Sequence, residues 1–231
     1  MGTVTASLLL AIGQLADPRI IRIMLKSLAV TLVLFAAVVW GGWYLIDWAL
    51  AGAGLGDTLF PGAEEIRGLA SLLMALLGLW LAWRIVAMAV IGFFADEVVQ
   101  AVEARSYPER AGQARDLPIA EQLSTSIRAA SRALLVNLAA LPFALVLIVT
   151  GIGPALLFLF VNAVLVGREL QDMVWLRHRR FRGDPAPTGM GERFLLGGAV
   201  AALLALPLVN FIAPVLGAAA ATNLIHRRRP S

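Results

Sequence analysis

The side chains of this sequence that could do chemistry lie mostly beside or within long apolar stretches. Arg84 interrupts the apolar block 68–94, and Asn210 lies within the block 194–225. An arginine at the bilayer centre costs about 2.5–3.5 kcal/mol on insertion scales. Arg84 therefore either extends its guanidinium to the headgroups or lines a path for an anion. Asn210 either makes a hydrogen bond between helices or contacts a ligand.

Glycine and proline interrupt two of the apolar blocks. Block 133–167 contains the stretch Thr150-Gly151-Ile152-Gly153-Pro154, and block 194–225 contains Pro207 and Pro214. Such bends can expose helix ends whose N–H groups attract an anion, as in transporters with broken helices. They can equally serve only to turn the chain, and the sequence leaves both interpretations open.

Other kinds of chemistry find no support in the sequence. There is no cysteine, and both histidines, His178 and His226, lie in basic runs. We therefore expect no metal site and no cofactor. The absence of a nucleophile–base arrangement or a phosphate loop predicts that the protein is not an enzyme. The basic runs lack interleaved aromatic residues, so we expect no nucleic-acid partner.

The amino-acid composition indicates whether the segments that contain these residues are surrounded by water or by lipid. Of 231 residues, 60% are hydrophobic and 15% are charged, against about 45–50% and 25% in soluble domains. The apolar residues form long blocks instead of alternating at strand or helix spacing. These blocks match acyl chains and not water, so the sequence predicts an integral membrane protein.

We predict an all-α integral membrane protein with a single domain, two long transmembrane helices and two re-entrant or short helical hairpins. The arms of each hairpin are 13 to 17 residues long, or roughly 20–26 Å, which is short of a bilayer core of about 30 Å. Four short or tilted complete spans remain the alternative. The predicted segments are an interfacial helix at 3–16, spans at 27–50 and 68–94, a polar cytoplasmic segment at 95–132, and hairpins at 133–167 and 194–225.

The basic residues predict the orientation. Of 19 lysines and arginines, 17 lie before the first span, in the stretches 95–132 and 168–193, or in the C-terminal tail. These stretches share one face if each later block returns to its starting side. The positive-inside rule then places both termini in the cytoplasm.

The order of these features resembles the CysZ family of bacterial sulfate permeases, which shares a fold with the etoposide-induced membrane proteins. The resemblance extends from about residue 11 to 225. It is carried by Pro18 with the basic residues after it, by Phe93-Phe94, by Gly151-Ile152-Gly153, and by Leu206-Pro207-Leu208-Val209-Asn210 with Pro214 and Ala221-Thr222.

The resemblance implies a homo-oligomer in the bacterial inner membrane that takes up sulfate for sulfur assimilation. In the family, adjacent arginines after the opening proline bind sulfate. Arg22 matches the second of them, whereas Ile21 stands at the first position and Arg19 lies two residues before it. The candidate anion-binding residues are then Arg22, Arg19, Arg84 and Asn210. The alternative is a non-transporting membrane scaffold that recruits a partner.

Overall fold

The computed structural model describes residues 2–52, 78–79, 94–181, 183–206 and 209–228. Within these ranges all regular structure is helical, which confirms the predicted all-α class. The chain forms two compact units, residues 1–22 with 95–231, and residues 23–94. Most of the predicted span 68–94, together with Arg84 and Pro207, lies outside the described residues.

Eight helices of four or more residues and two short 3-10 turns make up most of the described structure, and residues 78–79 are also helical. The helices are α1 Gly2–Gln14, α2 Pro18–Gly52, α3 at 94–106, α4 Pro108–Ala111, α5 Ile119–Leu147, α6 Gly153–His178, α7 Met190–Leu204 and α8 Ala213–Arg228. The 3-10 turns are Ile148–Thr150 before α6 and Val209–Phe211 before α8.

Helix α2 begins well before the predicted start of the first span, because its first turn has a strong local cap. Pro18 occupies the first helical position, where no N–H is needed. The Asp17 carboxylate accepts a hydrogen bond from the backbone N–H of Arg19 at 2.8 Å, as an N-cap residue does. In the unit 23–94, the buried Phe94 packs against Ile23, Val30 and Phe35.

Among the described residues, three helical stretches are long and apolar enough to cross a membrane. They are Pro18–Gly41, Ile119–Thr150 and Gly153–His178. The last two include the arms of the first predicted hairpin, and both are longer than the arms expected from the apolar block alone. The reason is that polar residues continue the same helices beyond the ends of that block.

The backbone N–H groups in the turn between α5 and α6 find hydrogen-bond acceptors within the turn itself. Gly151 takes the positive φ of 71° that the reversal needs, a conformation open to glycine. The Thr150 hydroxyl donates to the Leu147 carbonyl at 2.7 Å and accepts from the Gly153 N–H at 2.8 Å. A Cβ at Gly153 would overlap Thr150 and Leu147, so this position also requires glycine.

Helices α6, α7 and α8 pack closely, and α1 lies on α8. Where α6 meets α7, a Cβ at Gly167 would overlap the backbone of Arg193, and a Cβ at Gly197 would overlap the backbone of Ala163 and Gly167. The close approach of these two helices therefore depends on glycine at both positions. Helix α8 is buried from Leu216 to His226.

Helix α1 has two different faces. Val4, Ser7 and Ala11 are buried, with exposed fractions of 4% or less, whereas Leu9 and Ile12 are more than half exposed. The small residues allow contact with α8, and the large apolar residues lie on the opposite face of this predicted interfacial helix.

Candidate functional site

The arginines of the predicted anion site lie in the first turns of α2. Arg19 and Arg22 are exposed, and residues three apart on a helix share a face. Within the described residues neither guanidinium forms a salt bridge. Two guanidiniums on one face near a helix N-terminus can attract a dianion, because the helix dipole is positive at that end.

Asp17 lies between these arginines and α3, and its carboxylate is already engaged. Asp17 is buried and forms an ion pair with Arg105, while its other oxygen accepts from the Arg19 N–H. These partners, Arg105 first, hold the pKa of Asp17 below its ordinary value of 3.8. The negative charge of Asp17 is thus compensated chiefly by Arg105.

Asn210 lies apart from the arginines, in the 3-10 turn Val209–Phe211 between α7 and α8. It is half-buried, and its backbone N–H donates to the Leu206 carbonyl at 3.1 Å. Its Oδ1 atom is buried and has no hydrogen-bond donor among the described residues. No hydrogen bond or ion pair joins Asn210 to Arg19 or Arg22 within the described part of the chain.

The residues expected at the bends lie at helix boundaries, except Pro207, which is outside the described residues. Gly151, Gly153 and Pro154 form the end of the turn and the start of α6, and Pro214 is the second residue of α8. Proline fits the first turn of a helix, since the N–H it lacks would have no partner there.

A second cluster of polar side chains is buried and was not predicted from the sequence. It consists of Glu103 of α3, His178 of α6 and His226 of α8. Glu103 Oε1 lies 2.7 Å from His178 Nε2 and 3.0 Å from His226 Nε2. The two imidazole rings meet edge to face, with their centroids 4.8 Å apart. Arg177 donates to Glu103 Oε2 at 3.4 Å. We call Glu103, His178 and His226 the Glu–His cluster.

The Glu–His cluster is almost inaccessible to solvent, and its partners determine the charge of Glu103. Burial alone raises the pKa of Glu103, but hydrogen bonds from His178 and His226 and the charge of Arg177 outweigh it and bring the pKa to about 2. Glu103 is therefore ionised at neutral pH, with its negative charge shared among three basic side chains.

Polar contacts continue from the cluster towards α1. The Tyr107 ring packs on His226 with centroids 4.9 Å apart, and the Tyr107 hydroxyl donates to Asn223 Oδ1 at 3.0 Å. Asn223 Nδ2 donates to Gln14 Oε1 at 2.9 Å, and Gln14 Nε2 donates to Ser106 at 3.1 Å. This network joins α1, α3 and α8.

A comparison with protein families gives a match over most of the chain. The model of one family, described as Sulfate transporter CysZ/Etoposide-induced protein 2.4, matches residues 7–214. The chain belongs to this family. The match confirms the resemblance drawn from the sequence. No curated protein and no solved structure matches the chain.

The range matched by the CysZ/etoposide-induced protein 2.4 family includes the arginines of α2, the turn at Gly151, and Asn210. It also includes Glu103 and His178, but it ends at residue 214, before His226. The third member of the Glu–His cluster thus lies beyond the residues that identify the family.

Sequence reasoning missed the Glu–His cluster, although one signal for Glu103 was present. The buried residues Val98, Val99 and Val102 precede Glu103 on α3, and helical spacing places Glu103 on the same face as Val99. An acidic residue on an apolar face predicts a buried partner. Nothing in the sequence identifies that partner, because His178 and His226 are 75 and 123 residues away.

Proposed function

We propose that this chain is a permease for a small oxyanion, with sulfate as its substrate for sulfur assimilation. The observation that carries the proposal is membership in the CysZ/etoposide-induced protein 2.4 family, over residues 7–214. Helices long and apolar enough to cross a bilayer are consistent with such a role.

The arginines of α2 supply the charge that anion permeation needs. Removing a dianion from water is prohibitive unless fixed positive charges or N–H groups replace its hydration. Arg22 is exposed, and the nearby carboxylate of Asp17 is paired with Arg105. Arg22 is therefore proposed as the principal electrostatic attractor, with Arg19, Arg84 and Asn210 as further candidates.

We further propose that the chain has two spanning helices, and that its two hairpins dip into the bilayer and return. Helices α5 and α6 are long, but their stretches without a charged residue are 133–147 and 153–167, or 15 residues each. Each stretch is roughly 22 Å long, short of a core of about 30 Å. The apolar turn between them, with Val149 89% exposed, then remains inside the bilayer.

The proposed setting is the bacterial inner membrane, with both termini cytoplasmic and several copies of the chain in one assembly. Orientation rests on the 17 basic residues that this topology places on one face. Assembly and cellular location rest on the family alone.

Uptake of labelled sulfate into proteoliposomes tests the function. Wild-type protein should take up sulfate above protein-free liposomes, and Arg22→Ala should lower the initial rate about tenfold or more, because a charge-assisted contact contributes about 1.5–3 kcal/mol. Arg180→Ala is the matched control. It removes the same charge from an exposed position after α6 and should transport like the wild type.

The outcomes separate the function from the site. Equal uptake by wild type and Arg22→Ala would exclude Arg22 from the anion site while leaving a permease. No uptake by folded wild-type protein would overturn the permease and favour the non-transporting scaffold, whose partner would copurify in mild detergent.

A further inference from the structure

The sequence predicts no metal site, but the Glu–His cluster has the composition and the burial of one. Its three members come from three helices, and their ligand atoms all lie within 4.8 Å of one another. The side chains of Glu103, His178 and His226 are only 1%, 2% and 1% exposed. We propose that Glu103, His178 and His226 bind a divalent transition-metal ion, with Zn²⁺ as the fitting species.

The donor atoms select the class of ion. Two imidazole nitrogens and one carboxylate oxygen suit Zn²⁺ and neighbouring transition metals, whereas Mg²⁺ and Ca²⁺ prefer oxygen ligands throughout. Bonds of about 2.0–2.1 Å in a tetrahedron separate the ligand atoms by roughly 3.4 Å. The present separations of 2.7 and 3.0 Å between Glu103 Oε1 and the two Nε2 atoms therefore need to widen by about half an ångström.

On binding, the ion replaces the protons that now lie between nitrogen and oxygen. Each imidazole ligates in its neutral form through the Nε2 lone pair. A neutral ring that carries its proton on Nε2 moves that proton to Nδ1, whereas a doubly protonated ring releases its Nε2 proton to solvent, and the carboxylate ligates in its ionised form. The three protein ligands leave one tetrahedral position for water or another donor.

The surroundings hold the ligands in place, as outer partners do in metal sites. Arg177 contacts Glu103 through Oε2, which leaves Oε1 facing both histidines. The Tyr107 ring fixes the plane of His226.

The geometry of the cluster brings its three ligand atoms towards one point. Both histidines converge through Nε2 on Glu103 Oε1, at 2.7 and 3.0 Å. A metal ion gives the converging atoms a common partner, and it joins α3, α6 and α8 independently of transport.

The experiment uses full-length protein in detergent with its affinity tag removed, since polyhistidine would itself bind metal. After dialysis against Zn²⁺ and then metal-free buffer, elemental analysis should give one Zn²⁺ per chain. X-ray absorption at the zinc edge should show two imidazole ligands in the first coordination shell of the ion. Because the chain has only two histidines, that count identifies the site in the wild type without any substitution.

Variants and heating complete the test. Zn²⁺ at about 100 times its Kd should raise Tm by about 5–10 °C, and Mg²⁺ should not. Glu103→Gln and His226→Gln should abolish both the stoichiometric zinc and the shift, whereas Glu109→Gln, at an exposed position of α4, should retain them. Less than about 0.2 Zn²⁺ per wild-type chain, or a shell without two imidazoles, would overturn the site.

Discussion

Helix α5 and the hairpin formed by α7 and α8 have similarly apolar sequences but very different surroundings. None of the 29 residues of α5 is buried, although Leu135 and Val146 are large and 66% and 72% exposed. In α8, 12 of 16 residues are buried, and the run from Gly217 to Ala221 contains only glycine and alanine.

The difference shows that small residues and buried polar contacts distinguish the closely packed helices α7 and α8 from α5. Lipid tails are as apolar as leucine, so close helix packing in a membrane depends on small residues and polar contacts. Helices α7 and α8 have both. The large apolar side chains of α5 are matched to acyl chains, and the predictions below test this contrast.

The largest expected effect comes from adjacent glycines of α7. A Cβ at Gly197 would overlap backbone atoms of Ala163 and Gly167, whereas one at Gly198 would lie 3.5 Å from the Ala163 Cβ, an ordinary contact. Gly197→Ala should lower the free energy of unfolding by about 3 kcal/mol, because the helices must separate. Gly198→Ala should be neutral or stabilising by up to about 1 kcal/mol. Thermal unfolding in detergent measures both, and equal stabilities would contradict the packing.

An intermediate effect is expected from two asparagines in opposite environments. Asn223 of α8 is 1% exposed and bonds to Tyr107 and Gln14, so Asn223→Ala should cost about 1–3 kcal/mol of unfolding free energy. Asn137 of α5 is exposed, and among the described residues its amide donates to the Ala133 carbonyl of its own helix. Asn137→Ala should therefore change stability by less than about 0.5 kcal/mol. Denaturant or thermal unfolding measures both variants. If Asn137→Ala loses as much unfolding free energy as Asn223→Ala, then α5 also packs against protein.

The smallest effect concerns the polar end of the α7–α8 hairpin. Glu192 accepts hydrogen bonds from Arg228 Nε at 3.0 Å and from Thr3 at 2.8 Å. Burial raises the pKa of Glu192, but these partners outweigh it and leave the pKa below 4.5. The stabilisation is therefore complete above the unfolded pKa near 4.5 and is lost as pH falls through the lower folded value.

Comparing Tm at pH 7 and pH 4 measures this contribution. Between pH 7 and pH 4 the Tm of Glu192→Gln should fall less than that of the wild type, by at most about 2–4 °C. The reason is that a partly exposed ion pair, with Arg228 47% and Glu192 14% exposed, contributes about 1 kcal/mol or less. Glu109→Gln is the control and should retain the wild-type decrease. If the Tm of Glu192→Gln falls as much as that of the wild type between pH 7 and pH 4, the Glu192–Arg228 contact does not contribute to destabilisation by acid.

Features with local causes could be predicted from the sequence. The all-α class follows from long apolar blocks, and the breaks near Asp17 and Gly151 follow from cap and turn chemistry that a few neighbouring residues determine. The family was recognisable because its motifs are short and ordered along the chain.

Features with distant causes could not be predicted. The lengths of α5 and α6 were underestimated, because apolar blocks show where lipid contact ends and not where a helix ends. Glu103 meets His178 and His226 only after three helices have packed. The contact between Gly167 and Gly197 likewise depends on how α6 and α7 cross, which spacing along one helix does not specify.

The turn at Gly151 also bears on how the first hairpin enters the bilayer during synthesis. The Thr150 hydroxyl and the N–H groups of Gly151 and Gly153 form their hydrogen bonds within the turn itself. No charged residue lies between 133 and 167. In the proposed topology, residues 133–167 would enter the bilayer from the translocon together. No hydrophilic loop would then have to cross to the opposite compartment.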